Sequence, residues 1–218
     1  MKVELLQHTS LETCAHAIRT AWQSFERSDN GGENDLALIY KIGNKFKHSS
    51  TLEHLVYTFY IQEVSRAVLQ ELARHRIASP TVKSTRYTLK ELKGEVKFNL
   101  QLIPKISSDL YESKEMKRAG KYLVWTGNID VDEASFLALE NLRKILKSGV
   151  SNDRAKYCLP ESYKTELTWT INARSLQNFL QLRSSKAALW EIRDLAFSIY
   201  NALPESHKYL FSDSLTGG

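Results

Sequence analysis

The spacing of apolar residues along the chain predicts short strands separated by amphipathic helices. Alternating β-branched and aromatic residues favour strands, whereas apolar residues three or four positions apart favour helices. These patterns predict strands at residues 2–6, 55–61 and 165–171. They predict helices at 10–27, 34–47, 66–76, 107–124, 132–148, 174–184 and 187–202. Loops are predicted at 28–32 and 77–85, and extended or irregular structure at 86–102.

Several residues mark where these helices begin or end. Thr9 and Glu12 form a capping box ahead of the first helix. Ser65 is placed to cap the third helix, and Gly149 closes the helix at 132–148. Because the chain has no repeat, low-complexity stretch or linker, we predict one α+β domain in which helices dominate.

Composition narrows the class of protein without identifying a partner. The chain has 218 residues, of which 42% are hydrophobic and 25% charged, as in ordinary globular domains. It has neither an apolar run long enough to cross a membrane nor a secretory leader, so we expect an intracellular, cytoplasmic protein without a membrane partner. A net charge of +5 favours anionic partners, which include nucleic acids, nucleotides and phosphorylated cofactors.

The nine glycines form neither a G-x-G-x-x-G nor a Walker A loop. Any phosphate would therefore be held by side chains or by helix ends.

A first candidate site is Arg74-His75-Arg76, which is followed after seven residues by Ser84-Thr85-Arg86. The planar guanidinium group suits phosphate because it donates two parallel hydrogen bonds. Cations in the last turn of a helix are also favoured by the helix dipole alone. The spacing by itself leaves both interpretations open.

A second candidate is the segment from Asn172 to Arg183, which is predicted to form a helix. Arg174 and Asn178 are four residues apart and share one face of that helix. Arg183 lies nine residues beyond Arg174, which places it on the opposite side. An amphipathic helix with solvated arginines would show the same pattern.

Metal and thiolate chemistry receive less support. His48, Glu53 and His54 lie close together, but their spacing matches no known zinc motif, so we expect no metal site. Cys14 lies on the apolar stripe of the first helix, and Cys158 has no histidine partner nearby in the sequence. We therefore predict that neither cysteine acts as a nucleophile.

Three motifs in register resemble the flavin-dependent thymidylate synthases. They are Arg74-His75-Arg76 with Ser84 and Arg86, then His48-x-Ser50-x-x-Glu53-His54, and Asn172-Ala173-Arg174-Ser175-Leu176 with Asn178 and Arg183. Trp190-Glu191-Ile192-Arg193 also follows as it does in that family. The similarity covers residues from about 20 to 200 in the same order.

The resemblance implies a helix-rich α+β domain spanning residues 1–218, built around a small, mainly antiparallel sheet. It implies a homotetramer that binds FAD and dUMP where subunits meet, and no nucleic-acid partner. The reaction would be reductive methylation of dUMP to dTMP, with methylenetetrahydrofolate as the carbon donor and NADPH reducing the flavin. Because no thiolate is available to add to uracil, Arg183 would be the catalytic residue, stabilising negative charge that develops on the pyrimidine.

The resemblance also assigns binding residues. Those that would contact FAD are Ser24, His48, Ser50, Glu53, Arg74, His75, Arg76, Asn172, Arg174 and Asn178. Those that would contact dUMP are Gln70, Glu71, Ser84, Thr85, Arg86, Lys156 and Arg183.

The chain departs from the family pattern at a few positions. Lys156 stands where an arginine is common, and Glu71, next to Gln70, replaces a usual glutamine. Thr81 and Val82 replace an asparagine and a glutamate that many members carry.

Two other functions are compatible with parts of the sequence. A non-catalytic binder of nucleotides or RNA would account for the basic charge, although no nucleic-acid module is visible. A metal-dependent hydrolase would use His48 and His54 as ligands.

Overall fold

A single four-stranded sheet organises the part of the chain that the structure, a computed structural model, describes, namely residues 1–102 and 111–216. The strands are β1 (Lys2–His8), β2 (Val56–Ser65), β3 (Ala78–Val82) and β4 (Lys164–Asn172), in the order β1-β2-β4-β3. β1 pairs antiparallel with β2. β4 also runs antiparallel to β2, since Thr58 meets Thr170 while Arg66, just after β2, donates its N–H to the Tyr163 carbonyl.

Helices make up most of the remaining chain and confirm the helix-rich α+β class. They are α1 (Leu11–Trp22), α2 (Glu33–Ile39), α3 (Arg66–Leu72), α4 (Thr85–Thr88), α5 (Lys90–Gly94), α6 (Lys114–Ala119), α7 (Ile129–Lys147), α8 (Asn152–Ala155), α9 (Ala173–Arg183), α10 (Trp190–Ala202) and α11 (Glu205–Lys208). α2 continues into a π-helical segment at Tyr40–Lys45. None of the helices described is long and apolar enough to cross a membrane.

The chain forms two compact units. The first comprises Met1–Gln62, Glu71–Thr81 and Leu167–Gly218, and the second comprises Glu63–Gln70 and Val82–Glu166. In the first unit, alternate residues of the sheet point into the core, as the strand pattern predicts. Its largest fully buried side chains include Tyr57, Phe59, Trp169 and Phe179.

The core of the second unit is built around α7. Phe136, Leu139, Leu142 and Leu146 recur at helical spacing, and all four are at most 1% exposed. They pack with Leu89, Leu92, Phe98, Met116, Ala119, Leu123, Ala155 and Tyr163. The prediction of a helix at 132–148 with Gly149 at its end is confirmed, and Gly149 has the left-handed φ of +92° that favours glycine there.

The predicted capping box at Thr9 and Glu12 is wrong. The N-cap of α1 is Ser10, and the Thr9 hydroxyl accepts a hydrogen bond from the Val56 N–H at 3.2 Å, which joins it to β2. The helix also ends at Trp22 rather than Arg27, with a short 3-10 turn following it. The prediction that Ser65 caps α3 is confirmed, because its hydroxyl accepts the Val68 N–H at 3.2 Å.

Residues between the third helix and α6 differ from their predictions. α3 ends at Leu72 instead of near Arg76, and the predicted loop at 77–85 contains β3. β3 includes Pro80 and lies at the edge of the sheet, where the missing N–H is tolerated.

The predicted extended region at 86–102 instead contains α4 and α5 together with a 3-10 turn at Leu100–Leu102. Of the helix predicted at 107–124, the structure has α6, and residues 107–110 lie outside the described residues.

Candidate functional site

A cleft of about 860 Å³ in the first unit gathers most of the basic residues singled out from the sequence. It is lined by the segment that follows α3, by α9 and by the chain just after α9. The lining residues are Arg74, His75, Arg76, Ile77, Arg174, Ser175, Asn178, Leu182, Arg183, Ala187 and Ala188. Two motifs about 100 residues apart in the sequence therefore face one space.

Arg183 is held by two residues of the cleft region. Its Nη1 donates to Glu71 Oε2 at 2.6 Å, and its Nε donates to His75 Nε2 at 3.0 Å. A longer bond of 3.4 Å runs from Nη2 to the Glu71 carbonyl. The Arg183 side chain is 15% exposed and that of Glu71 is 29% exposed, so this pair is partly shielded from water.

His75 is a neutral hydrogen-bond acceptor in this arrangement. Burial, together with the nearby Arg183 charge, lowers the pKa of His75 to about 4. The ring also meets Phe179 edge to face at 5.0 Å between centroids, and Phe179 in turn meets Trp169 at 5.1 Å. The buried aromatic core thus fixes the ring that supports Arg183.

Arg174 lines the same cleft. It pairs with Glu53 at 2.7 Å, and because the two side chains are 55% and 46% exposed, water screens this pair more than the Arg183 pair. The helical repeat predicts opposite sides of α9 for Arg174 and Arg183. Both nevertheless line one cleft, because each long side chain reaches well beyond the position of its Cα.

The remaining residues predicted to contact FAD have different environments. Asn172 is the N-cap of α9, where its side chain accepts the Ser175 N–H at 2.9 Å. Ser50 and His48 are exposed at the corner that precedes β2, and Ser24 is half-buried before a 3-10 turn. None of these four is among the described residues that line the cleft.

Most of the residues predicted to bind dUMP belong to the second unit. Ser84 and Thr85 begin α4, and the exposed Arg86 pairs with Asp153 of α8 at 2.7 Å. Lys156 lies one turn beyond Asp153 and is half-buried.

Two further contacts belong to the second unit. The Asn152 side chain donates to the Arg86 carbonyl at 2.6 Å. Gln70 donates to Glu161 at 2.9 Å.

Sequence reasoning missed the apolar part of the cleft lining. Ile77 is 72% exposed and Leu182 is 54% exposed, and both lie beside arginines of the cleft. Each directly adjoins a residue that the motifs had singled out, namely Arg76 and Arg183. An apolar residue directly beside a basic motif is the signal in the sequence that could have identified them.

The two cysteines differ sharply in environment. Burial raises the pKa of Cys14 to about 12, and its thiol donates to the Thr51 carbonyl at 3.3 Å. Cys158 is exposed. Within residues 1–102 and 111–216, no three His, Cys, Asp or Glu side chains are grouped so that they could hold a metal ion.

Known proteins resemble this chain over nearly its whole length. The family model described as thymidylate synthase complementing protein matches residues 4–207, which include parts of both units. The flavin-dependent thymidylate synthase of Wolinella succinogenes is 65% identical over 211 residues, which are 97% of each chain. The enzyme of the same name from Campylobacter jejuni is 60% identical over 215 residues, covering 99% of this chain and 98% of the other.

A solved structure agrees with these sequence relatives. The crystal structure of thymidylate synthase X from Helicobacter pylori, with FAD and dUMP, superposes with a TM-score of 0.91 at 52% identity. The superposition covers 99% of this chain and 100% of the Helicobacter chain. The fold and the sequence relatives agree, and the chain belongs to the family of flavin-dependent thymidylate synthases.

Proposed function

We propose that this enzyme binds FAD and dUMP and methylates dUMP to dTMP, with methylenetetrahydrofolate as the carbon donor and NADPH reducing the flavin. The observation that supports this most is the gathering of four arginines and His75 in one cleft of the first unit. The Helicobacter relative, 52% identical, holds both FAD and dUMP, and this supports the same ligands here.

The cleft has the properties that FAD requires. Its volume lies within the range of about 300–1,000 Å³ that is usual for small-molecule sites. Arg74, Arg76 and Arg174 offer guanidinium donors for a diphosphate, and Ile77 with Leu182 offers apolar surface for a ring system. When bound, the flavin supplies the redox chemistry of the reaction.

Within this proposal, Arg183 acts on the pyrimidine. Its guanidinium is fixed by Glu71 and His75 before any ligand arrives, so little reorganisation is needed at the moment of reaction. Hydrogen bonds to a ring carbonyl would stabilise negative charge on the pyrimidine without a covalent thiolate. The buried and protonated Cys14 is consistent with that route, since its pKa of about 12 keeps it a thiol at neutral pH.

The nucleotide phosphate is assigned to the basic group of the second unit. Ser84 and Thr85 supply hydroxyls, while Arg86 and Lys156 supply positive charge. Arg86 would exchange its exposed partner Asp153 for the phosphate, which is a small cost because exposed ion pairs are weak.

We also propose that the chain acts as one domain in a cytoplasmic homotetramer with active sites at subunit junctions. Large apolar side chains that are well exposed on the single chain support an interface: Trp22 is 75% exposed and Tyr157 is 89% exposed. A tetramer would have a mass of about 100 kDa in solution, four times the 25.0 kDa chain. Light scattering that gives the mass of one chain at working concentrations would contradict this assembly.

The direct test of the proposed function is a turnover assay. Purified protein is mixed with FAD, NADPH, methylenetetrahydrofolate and dUMP, and dTMP is measured by chromatography. Omission of dUMP, methylenetetrahydrofolate or NADPH in turn should stop product formation. A fully assembled, flavin-loaded protein that forms no dTMP would refute the proposal.

Arg174→Ala is expected to weaken FAD binding by about tenfold or more. Charge-assisted hydrogen bonds contribute about 1.5–3 kcal/mol, and about 1.4 kcal/mol corresponds to a factor of ten in affinity. Flavin absorbance after equilibrium dialysis measures the change. Arg27→Ala is the matched control because Arg27 is 78% exposed and pairs with its neighbour Glu26, so it should keep the wild-type affinity. Equal flavin retention by both variants would remove Arg174 from the FAD site.

A further inference from the structure

Glu71 neutralises Arg183 of the cleft and leaves Arg74 available to ligands. The cleft and its margin hold four arginines, at positions 74, 76, 174 and 183, and two acidic partners, Glu53 and Glu71. Glu71 lies 2.6 Å from Arg183 and 4.0 Å from Arg74, so its carboxylate acts mainly on Arg183. Arg74 is 73% exposed and keeps its charge available to ligands.

The Glu71 contact also determines which donors Arg183 can offer. A guanidinium group has five N–H donors, and three of them are engaged by Glu71 and His75. Two N–H donors therefore have no acceptor among the described residues. They belong to a group whose charge is already balanced and which lines the cleft.

A phosphate and an uncharged ring would meet this group very differently. A dianionic phosphate bound to Arg183 would lie beside the Glu71 carboxylate. Two negative charges so close together repel strongly where water is partly excluded. A ring carbonyl needs only donors and has no net charge to be repelled. The geometry points to Glu71 as a positioning and specificity residue that reserves Arg183 for the uncharged pyrimidine and directs phosphates elsewhere.

This inference rests on the proposed function, because it presupposes a ligand with one charged and one uncharged end. Its physical content can be measured without turnover. Glu71→Gln keeps the size of the side chain and removes its charge, so Arg183 should become a binding site for inorganic phosphate. Glu71→Asp keeps the charge and should retain the discrimination.

The experiment measures binding of inorganic phosphate to FAD-loaded protein by equilibrium dialysis at constant ionic strength. We expect the Kd for phosphate to fall at least five-fold in Glu71→Gln. This gain should vanish when Arg183→Gln is added to the same chain. Glu205→Gln is the matched control, since it removes an exposed carboxylate paired with Lys208 at 2.8 Å, and it should leave the Kd unchanged.

Several results would overturn the inference. They are a change below five-fold in Glu71→Gln, a gain that persists without Arg183, or an equal gain in Glu71→Asp. Circular dichroism and flavin content confirm that each variant is folded and loaded. The wild-type turnover assay is read separately, so a protein that makes no dTMP refutes the proposed function and leaves the phosphate result to decide the role of Glu71.

Discussion

Arg183→Ala is expected to lower the rate of dTMP formation by about 100-fold to 1,000-fold while FAD remains bound. Removal of one preorganised donor at a site of developing charge typically costs this much. Among the described arginines that line the cleft, Arg183 is fixed by both a carboxylate and a neutral imidazole. Another hydrogen-bond donor that is held less firmly will not reproduce its geometry. Steady-state rates with saturating dUMP measure the loss.

The reciprocal comparison with Arg174→Ala makes this prediction specific. Arg183→Ala should lose turnover and keep flavin, whereas Arg174→Ala should lose flavin first. If the Arg183 variant instead loses FAD and still binds dUMP, the assignment of Arg183 to the pyrimidine is wrong.

Phe179→Ala is expected to destabilise the protein by about 3–5 kcal/mol, the usual cost of truncating a buried aromatic residue. Phe179 is fully buried and contacts both Trp169 and His75 edge to face. Its loss would leave a cavity directly beneath the imidazole that supports Arg183. Urea unfolding at fixed protein concentration measures the free energy of unfolding.

Phe46→Ala provides the matched comparison for this stability effect. Phe46 is 57% exposed, and the Nζ of Lys41 lies 5.6 Å from the centroid of its ring. Surface substitutions of this kind usually change stability by no more than about 0.5 kcal/mol. Equal losses in the two variants would show that the buried Phe179 ring stabilises the protein no more than an exposed ring does.

Local patterns predicted the parts of the fold that local interactions decide. The helix around Phe136 and Leu139 was predicted because its apolar residues repeat over about three turns. β3 was not predicted, because Pro80 argues against a strand unless that strand lies at the edge of a sheet. That position depends on β4, which lies more than 80 residues away in the sequence.

The same limit explains the two short helices α4 and α5. Leu89 and Leu92 are only three residues apart, and this spacing is too short a pattern to distinguish a helical turn from irregular chain. Both are fully buried in the core of the second unit. Tertiary burial, rather than local propensity, therefore selects their conformation.

The candidate site divides in a similar way. The motifs predicted the basic residues, because phosphate recognition demands particular side chains that can be read directly from the sequence. Glu71 and His75, which hold Arg183, precede it in the sequence by 112 and 108 positions respectively. No spacing rule relates residues so far apart, and only the folded chain reveals that one of these arginines is neutralised while Arg74 is not.

Pro80 at the edge of the sheet has a consequence for how copies of the chain meet. A strand that adds to an exposed edge gains affinity from a continuous row of main-chain hydrogen bonds, and a proline breaks that row because it has no N–H to donate. β3 is therefore a poor template for the addition of a further strand from another copy of the chain. Pro80 is therefore expected to limit fibrous aggregation at that edge in a concentrated solution of this protein.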